Sequence, residues 1–171
     1  MTLRDAVLRL GQPGDAGAIA AMSRDLIETG LGWEYRKERV ARMIADADTI
    51  ALVAHDPLRL AGFALMQMAD ERAHLALLAV RPDCQRLGVA RDLLAWLAES
   101  AQTAGIATIH VELRADNAAA HALYRGVGFE ETLRVPGYYR GRETAIRMMR
   151  MLRAPGAALP AWRPPAPDDS R

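Results

Sequence analysis

The chain has 171 residues, 51% of them hydrophobic, which is enough for one compact domain with a sizeable core. Its 22 basic residues against 21 acidic ones leave a net charge of +1, without the basic excess that drives binding to a phosphate backbone, so nucleic acid is not an expected partner. A single cysteine, Cys84, excludes an internal disulfide and every multi-cysteine zinc or iron–sulfur arrangement. No apolar run approaches the roughly 20 residues of a membrane helix. The opening Met1-Thr2-Leu3-Arg4-Asp5 meets charge at once, so a soluble, cytoplasmic protein without a membrane partner is expected.

Val7-Leu8-Arg9-Leu10 reads as a short strand closed by the turn residues Gly11 to Gly14. Asp15 is a helix N-cap, and Ile19, Met22 and Leu26 supply the apolar face of a helix expected over residues 15–29, broken by Gly30 and Gly32. A second helix is expected over 36–45 with Val40, Met43 and Ile44 on one side, then strands over 49–54 and 60–68 joined by His55-Asp56-Pro57. The run 74–80 is almost wholly apolar, as a central strand is, and stops at Arg81-Pro82. A helix over 88–104 carries Leu93, Leu94, Leu97 and Ala101 on one stripe and has Gly105 as its stop. A strand over 107–113, a helix over 117–127 and strands over 129–134 and 143–152 complete an α/β (α+β) pattern. The five prolines between Ala154 and Arg171 deny that stretch regular hydrogen bonding, so the expected organisation is a domain over 1–153 and an extended tail over 154–171.

Between a buried strand and a strong helix lies Arg81-Pro82-Asp83-Cys84-Gln85-Arg86-Leu87-Gly88-Val89-Ala90. Free N–H groups at a helix N-terminus, with a glycine permitting close approach, suit a pyrophosphate, and Arg86 and Arg91 add positive charge. Taken alone, the pattern Q-x-x-G-x-A is equally explained by a tight strand-to-helix turn. No G-K-[ST] follows the glycine and no G-x-G-x-x-G opens a helix, which removes the Walker and Rossmann readings.

The loop resembles the acetyl-coenzyme A pyrophosphate loop of the GNAT superfamily of N-acetyltransferases, Q/R-x-x-G-x-G/A, through Gln85, Gly88 and Ala90. About thirty residues on, Asn117-Ala118-Ala119-Ala120-His121-Ala122-Leu123-Tyr124-Arg125-Gly126-Val127-Gly128-Phe129 matches that superfamily's N-x-x-A-x-x-L-Y-x-x-x-G-F. Val111-Glu112-Leu113-Arg114-Ala115-Asp116-Asn117 is similar to the L-E-V-R-x-x-N stretch of the ribosomal-protein-alanine N-acetyltransferase group. Ala90, Cys84 and Leu77 depart from the residues commoner there. The resemblance implies a GNAT fold: a mixed, mostly antiparallel twisted sheet of six to seven strands with helices on both faces, splayed between the strands holding Val80 and Glu112. It also implies acetyl-coenzyme A as co-substrate and no metal.

Period-two alternation puts Thr108, His110 and Glu112 on one face of their strand. The resemblance makes Glu112 the general base; the bland reading is a surface or salt-bridged glutamate. Tyr124, seven residues after Asn117 and so on the same helical face, occupies the general-acid position; otherwise it is a tyrosine packed beside Leu123. Asn117 reads as a helix N-cap as well as a cofactor contact. By resemblance, Leu78, Ala79 and Val80 pair their backbone with the pantetheine arm, and Gln85, Arg86, Leu87, Gly88, Val89, Ala90 and Arg91 cradle the pyrophosphate. The acceptor groove would be walled by residues 30–35 and by a loop over 135–140, making Trp33, Tyr138 and Tyr139 candidate substrate contacts.

An acetyl-cysteine route through Cys84 has no adjoining histidine to support it. His110-Val111-Glu112 lacks the later P-C-x-x-C of the zinc deaminases. The expected function is direct transfer of acetyl from acetyl-coenzyme A to a primary amine, by preference a protein or peptide N-terminus, by a monomer or homodimer. The alternatives are a small-molecule amine as acceptor, or an acyl-coenzyme A binding module without turnover.

Overall fold

The computed structural model describes residues 6–153; the tail over 154–171 lies outside the described residues. Seven strands, β1 (Val7–Leu10), β2 (Thr49–His55), β3 (Leu60–Ala69), β4 (Arg72–Val80), β5 (Thr108–Arg114), β6 (Glu130–Tyr139) and β7 (Glu143–Met151), form one sheet in the order β1-β2-β3-β4-β5-β7-β6. Every neighbouring pair is antiparallel except β4 and β5, which are parallel and joined through α3 (Val89–Thr103). The other helices are α1 (Ala16–Leu26), α2 (Lys37–Ala45) and α4 (Ala118–Gly126).

Strand alternation divides the core in two. Leu52, Ala64, Met66, Leu75, Ile109, Val111 and Leu113 pack with Leu93 and Leu97 of α3 and Tyr124 of α4, while Val53, Phe63, Leu65, Leu77 and Ala79 pack with Ile19 of α1 and Val40 of α2. Truncating a fully buried leucine such as Leu97 to alanine would cost about 2–5 kcal/mol.

The sheet is interrupted at its centre, between β4 and β5. Opposite Leu65 and Met66 of β3, Leu77 and Leu75 of β4 are the register partners, so Ala76 is an extra residue and β4 bulges there. Pairing of β4 with β5 runs only from Arg72/Thr108 to Leu75/Val111, and beyond the bulge the two strands part.

Two expectations are corrected. The first helix ends at Leu26 rather than near 29, because the Ser23 carbonyl accepts from both Ile27 N–H and Glu28 N–H (2.9 Å each), a closure that turns the chain out of the helix. Residues 135–139, expected in a loop, belong to β6, with a register irregularity between Val135 and Tyr139. Pro136 is tolerated because β6 is an edge strand, whose outer N–H groups have no ladder partner to lose.

Candidate active site

The parting of β4 from β5 leaves residues 76–80 without a strand partner on the side away from β3, an extended backbone edge onto which a linear molecule can add. Ala79 and Val80 are buried and Leu78 packs on the α3 side, so their side chains hold the core and only main-chain groups are on offer. The strand runs directly into the N-terminus of α3. There Arg86 and Gly88 both adopt the left-handed conformation (φ 62° and 92°), which winds the backbone into a concave turn. Among the described residues no backbone acceptor takes the N–H groups of residues 86 to 91, the first helical bond being Asp92 N–H to Gly88 O at 3.0 Å.

Nothing lies within 4 Å of the position a Cβ on Gly88 would take, so a phosphate has open access to these donors. Arg86 and Leu87 are exposed, Val89 is buried under α3, and Ala90 is packed against the same core, so the last two can contribute only N–H groups. The Arg91 guanidinium reaches across to α4, 4.0 Å from where a Cβ on Gly126 would be. The Gln85 side chain turns back instead, donating to Val80 O at 3.0 Å, and so holds the loop against the end of β4. Arg81 anchors the same loop to the β2–β3 turn, with bonds to Leu60 O (2.9 Å) and Asp56 (2.7 Å), and also binds Asp83 within the loop (2.5 Å).

Tyr124 lies on the α3 side of the sheet, 6% exposed, with its ring edge-on to Phe129 at 5.3 Å. Burial pushes its hydroxyl well above the usual tyrosine range, so it holds its proton at every physiological pH. Asn117 caps α4, its Oδ1 accepting from Ala120 N–H at 3.0 Å, which fixes the helix that presents Tyr124.

Glu112 projects from β5 on the opposite face, since its neighbours Val111 and Leu113 are the ones that enter the α3-side core. Its carboxylate accepts from Arg147 Nε on β7 at 2.8 Å. Three tyrosines surround it. The Tyr138 hydroxyl is raised by its hydrogen bond to Glu112 and then by burial; Tyr139 is pushed up to about 12, first by burial and then by the Glu112 charge; Tyr35 is raised by burial, with Glu112 a lesser contributor. Tyr138 and Tyr139 pack edge-on at 5.0 Å, and Arg147 and Arg114 sit over their respective rings. Glu112 and Tyr124 therefore stand on opposite sides of the sheet.

Sequence reasoning missed Arg147, and it included Tyr35 in the 30–35 wall without singling it out. The first is found only from the β5–β7 register, in which Glu112 and Arg147 are direct partners. Trp33, a candidate substrate contact, is half-buried and packs against the α1–α2 core, with the guanidinium groups of Arg24 (5.3 Å) and Arg36 (5.5 Å) over its ring. His110 bonds to Thr108 Oγ1 at 3.0 Å. Cys84 is fully buried and its thiol is raised, mainly by burial, which opposes a nucleophilic role. Among the described residues no group of three or more His, Cys, Asp or Glu is arranged to hold a metal.

An open strand edge that leads into a helix N-terminus with free N–H groups suits an acyl-coenzyme A, a linear arm joined to a pyrophosphate, and so an acyltransferase. Residues 20–152 match the family model described as the acetyltransferase (GNAT) domain. The chain is 43% identical over 102 residues, 58% of its length and 68% of the relative's, to the [ribosomal protein bS18]-alanine N-acetyltransferase of Salmonella typhimurium. The crystal structure of the ribosomal-protein-S18-alanine N-acetyltransferase from Escherichia coli superposes with a TM-score of 0.77 at 30% identity, covering 91% of this chain and 99% of that one. The acetyltransferase yncA from Salmonella typhimurium, solved with its cofactor acetyl-CoA, shares the fold (TM-score 0.77, 21% identity, covering 92% and 99%). The chain belongs to the GNAT acetyltransferase family, and its activity is that of an acetyl-coenzyme A-dependent N-acetyltransferase.

Proposed function

We propose that the acceptor is the α-amine of a protein N-terminus, by preference one beginning with alanine as in the ribosomal-protein acetyltransferases it resembles, and that Glu112 and Tyr124 carry the proton transfers. The observation that carries this reading is the placement of the two groups on opposite faces of the sheet, Glu112 one residue past the point where β4 and β5 part, with Tyr138 and Tyr139 packed edge-on under Arg147 and Arg114 on its side.

Acetyl-coenzyme A, when bound, supplies an activated thioester. The N–H groups of residues 86–91 and Arg91 hold the pyrophosphate, and the open β4 edge over 76–80 aligns the pantetheine arm so that the carbonyl sits in the gap. Glu112 takes one proton from the incoming ammonium, releasing a neutral amine to form the C–N bond. A β4 main-chain N–H at the gap steadies the charge that develops on the carbonyl oxygen. As the C–S bond breaks, Tyr124 gives its proton to the departing sulfur and regains one from the nitrogen. The products are the amide, the free thiol and one proton, which Glu112 returns to solvent.

Among the described residues no helix is long and apolar enough to cross a membrane. We place the enzyme in the cytoplasm, where nascent protein N-termini are available. The test is Glu112→Gln assayed with an alanine-initiated peptide: kcat/KM should fall by roughly 10²–10³-fold while stabilisation by coenzyme A is retained. A rate within a few-fold of wild type would remove the base assignment. Turnover of polyamines or free amino acids in preference to the peptide would replace the acceptor.

A further inference from the structure

The described residues bury one carboxylate, and the proposed proton transfers leave it unused. Glu28, 7% exposed, follows α1 and is the sole Asp, Glu, Lys, Arg or His among the buried described residues. Its Oε2 accepts from Ser23 Oγ at 3.0 Å, and Ser23 is itself fully buried. Its Oε1 accepts from the backbone N–H of Glu34 at 2.6 Å and of Tyr35 at 3.2 Å. A buried carboxylate is tolerated only when its lone pairs are satisfied, and here the donors come from the end of α1 and from a loop six and seven residues on.

One side chain thus closes residues 28–35 into a ring. Leu31 N–H adds a bond to Glu28 O at 2.9 Å inside it. From β5, two residues past Glu112, Arg114 Nη2 binds the carbonyls of Ile27 (3.3 Å) and Thr29 (2.5 Å). The ring therefore borders the strand that carries the proposed base, and on its other side the Arg140 guanidinium, one residue past Tyr139, lies against Gly32.

We propose that Glu28 is a positioning residue for the acceptor: its carboxylate fixes the 28–35 wall so that the amine enters aligned on Glu112, and it has no part in holding the donor. This rests on the reading of the Glu112 side of the sheet as the acceptor site. The donor elements, β4 and the α3 N-terminus, make none of these contacts.

The experiment compares Glu28→Ala, Glu28→Gln and Ser23→Ala with wild type, using an alanine-initiated peptide and acetyl-coenzyme A as substrates. Losing charge-assisted buried bonds should raise the peptide KM of Glu28→Ala by about tenfold or more, with the KM for acetyl-coenzyme A within about twofold. Glu28→Gln keeps an oxygen for the two N–H groups and an amide facing Ser23 Oγ, so it should recover most of the loss; it also carries the test if the alanine variant does not fold. Ser23→Ala should give a smaller rise of about threefold. A peptide KM unchanged in Glu28→Ala, or both KM values rising together, would overturn the proposal. Amide exchange at Glu34 and Tyr35 reads the same pin without any acceptor. Protection lost in Glu28→Ala and kept in Glu28→Gln supports it even if the peptide proves to be the wrong substrate, and unaltered protection overturns it.

Discussion

Glu112 on β5 and Arg147 on β7 are direct register partners, and Arg147 Nε lies 2.8 Å from Glu112 Oε1. Tyr138 of β6 lies beside this pair: Arg147 sits over its ring at 5.7 Å, and Glu112 is the first cause that raises its hydroxyl. The Arg147 side chain is 43% exposed, and an ion pair this wet contributes little to stability, on the order of 0–1 kcal/mol. What it contributes instead is aim: a base swung out of line loses rate steeply. Arg147→Met should therefore lower kcat about tenfold while the melting temperature and the KM for acetyl-coenzyme A stay near wild type. Arg147→Lys, which keeps the charge without the planar fork, should fall between. Steady-state kinetics beside thermal unfolding checks both, and a variant that loses stability and rate together would mean that the pair is merely structural.

Tyr124 holds its proton because burial lifts its hydroxyl, and its ring is anchored by the edge-on contact with Phe129. Tyr124→Phe keeps that packing and removes only the hydroxyl. The expected result is a fall in kcat of about 10²-fold with little change in stability or in coenzyme A binding. Comparing the oxygen ester or a more acidic thiol as leaving group separates the roles: a better leaving group should need Tyr124 less, and an equal penalty for all donors would count against it as the acid.

The element order was legible because apolar periodicity and glycine punctuation agree along most of the chain, and the two motifs bracketing Gly88 and Tyr124 sit on one strand–helix–strand–helix run, β4 to α4. What escaped depends on long-range register. Arg147 meets Glu112 only because β7 inserts between β5 and β6, 35 residues further along, and no local pattern encodes that choice. Glu28 was hidden inside a helix expected to continue to 29; the double acceptance at Ser23 O that ends α1 is a tertiary outcome of closing the 28–35 ring. Pro136 and Gly137 read as loop residues, although an edge strand accepts both. Nor does any local pattern show that Trp33 packs against the α1–α2 core with two arginines over its ring.

Gly88 separates donor binding from folding. Its φ of 92° costs an L residue roughly 1–2 kcal/mol, while the space beyond its Cα is empty in the free protein. Gly88→Ala should thus lower the melting temperature only slightly, whereas Gly88→Trp, which fills the anion space, should abolish stabilisation by coenzyme A. Thermal unfolding with and without coenzyme A measures both at once. A tryptophan variant still stabilised like wild type would move the pyrophosphate elsewhere.

The loop proposed to hold the donor is itself tied down by a charge pair, and that pair sets an acid limit. Asp56 accepts from Arg81 Nη2 at 2.7 Å and from the N–H groups of Leu58 and Arg59 at 2.8 Å, which lowers its carboxyl to about 2, the Arg81 bond first among the causes. A carboxyl lowered on folding binds fewer protons in the native state than in the unfolded chain, so the stability it adds is complete above its unfolded value and is lost as the pH falls through the folded one. The window here runs from about pH 4 down to about pH 2. Asp56→Asn keeps an oxygen for the two turn N–H groups and deletes the charge. Its melting temperature should lie below wild type at pH 7, and the gap should close as both are titrated to pH 2. Because Arg81 also reaches Asp83 and Leu60 O, Asp56→Asn should loosen the 81–88 turn without releasing it, seen at pH 7 as a coenzyme A affinity weaker by a few-fold. A gap that stays constant with pH would show that the Arg81–Asp56 pair does not carry the acid sensitivity assigned to it.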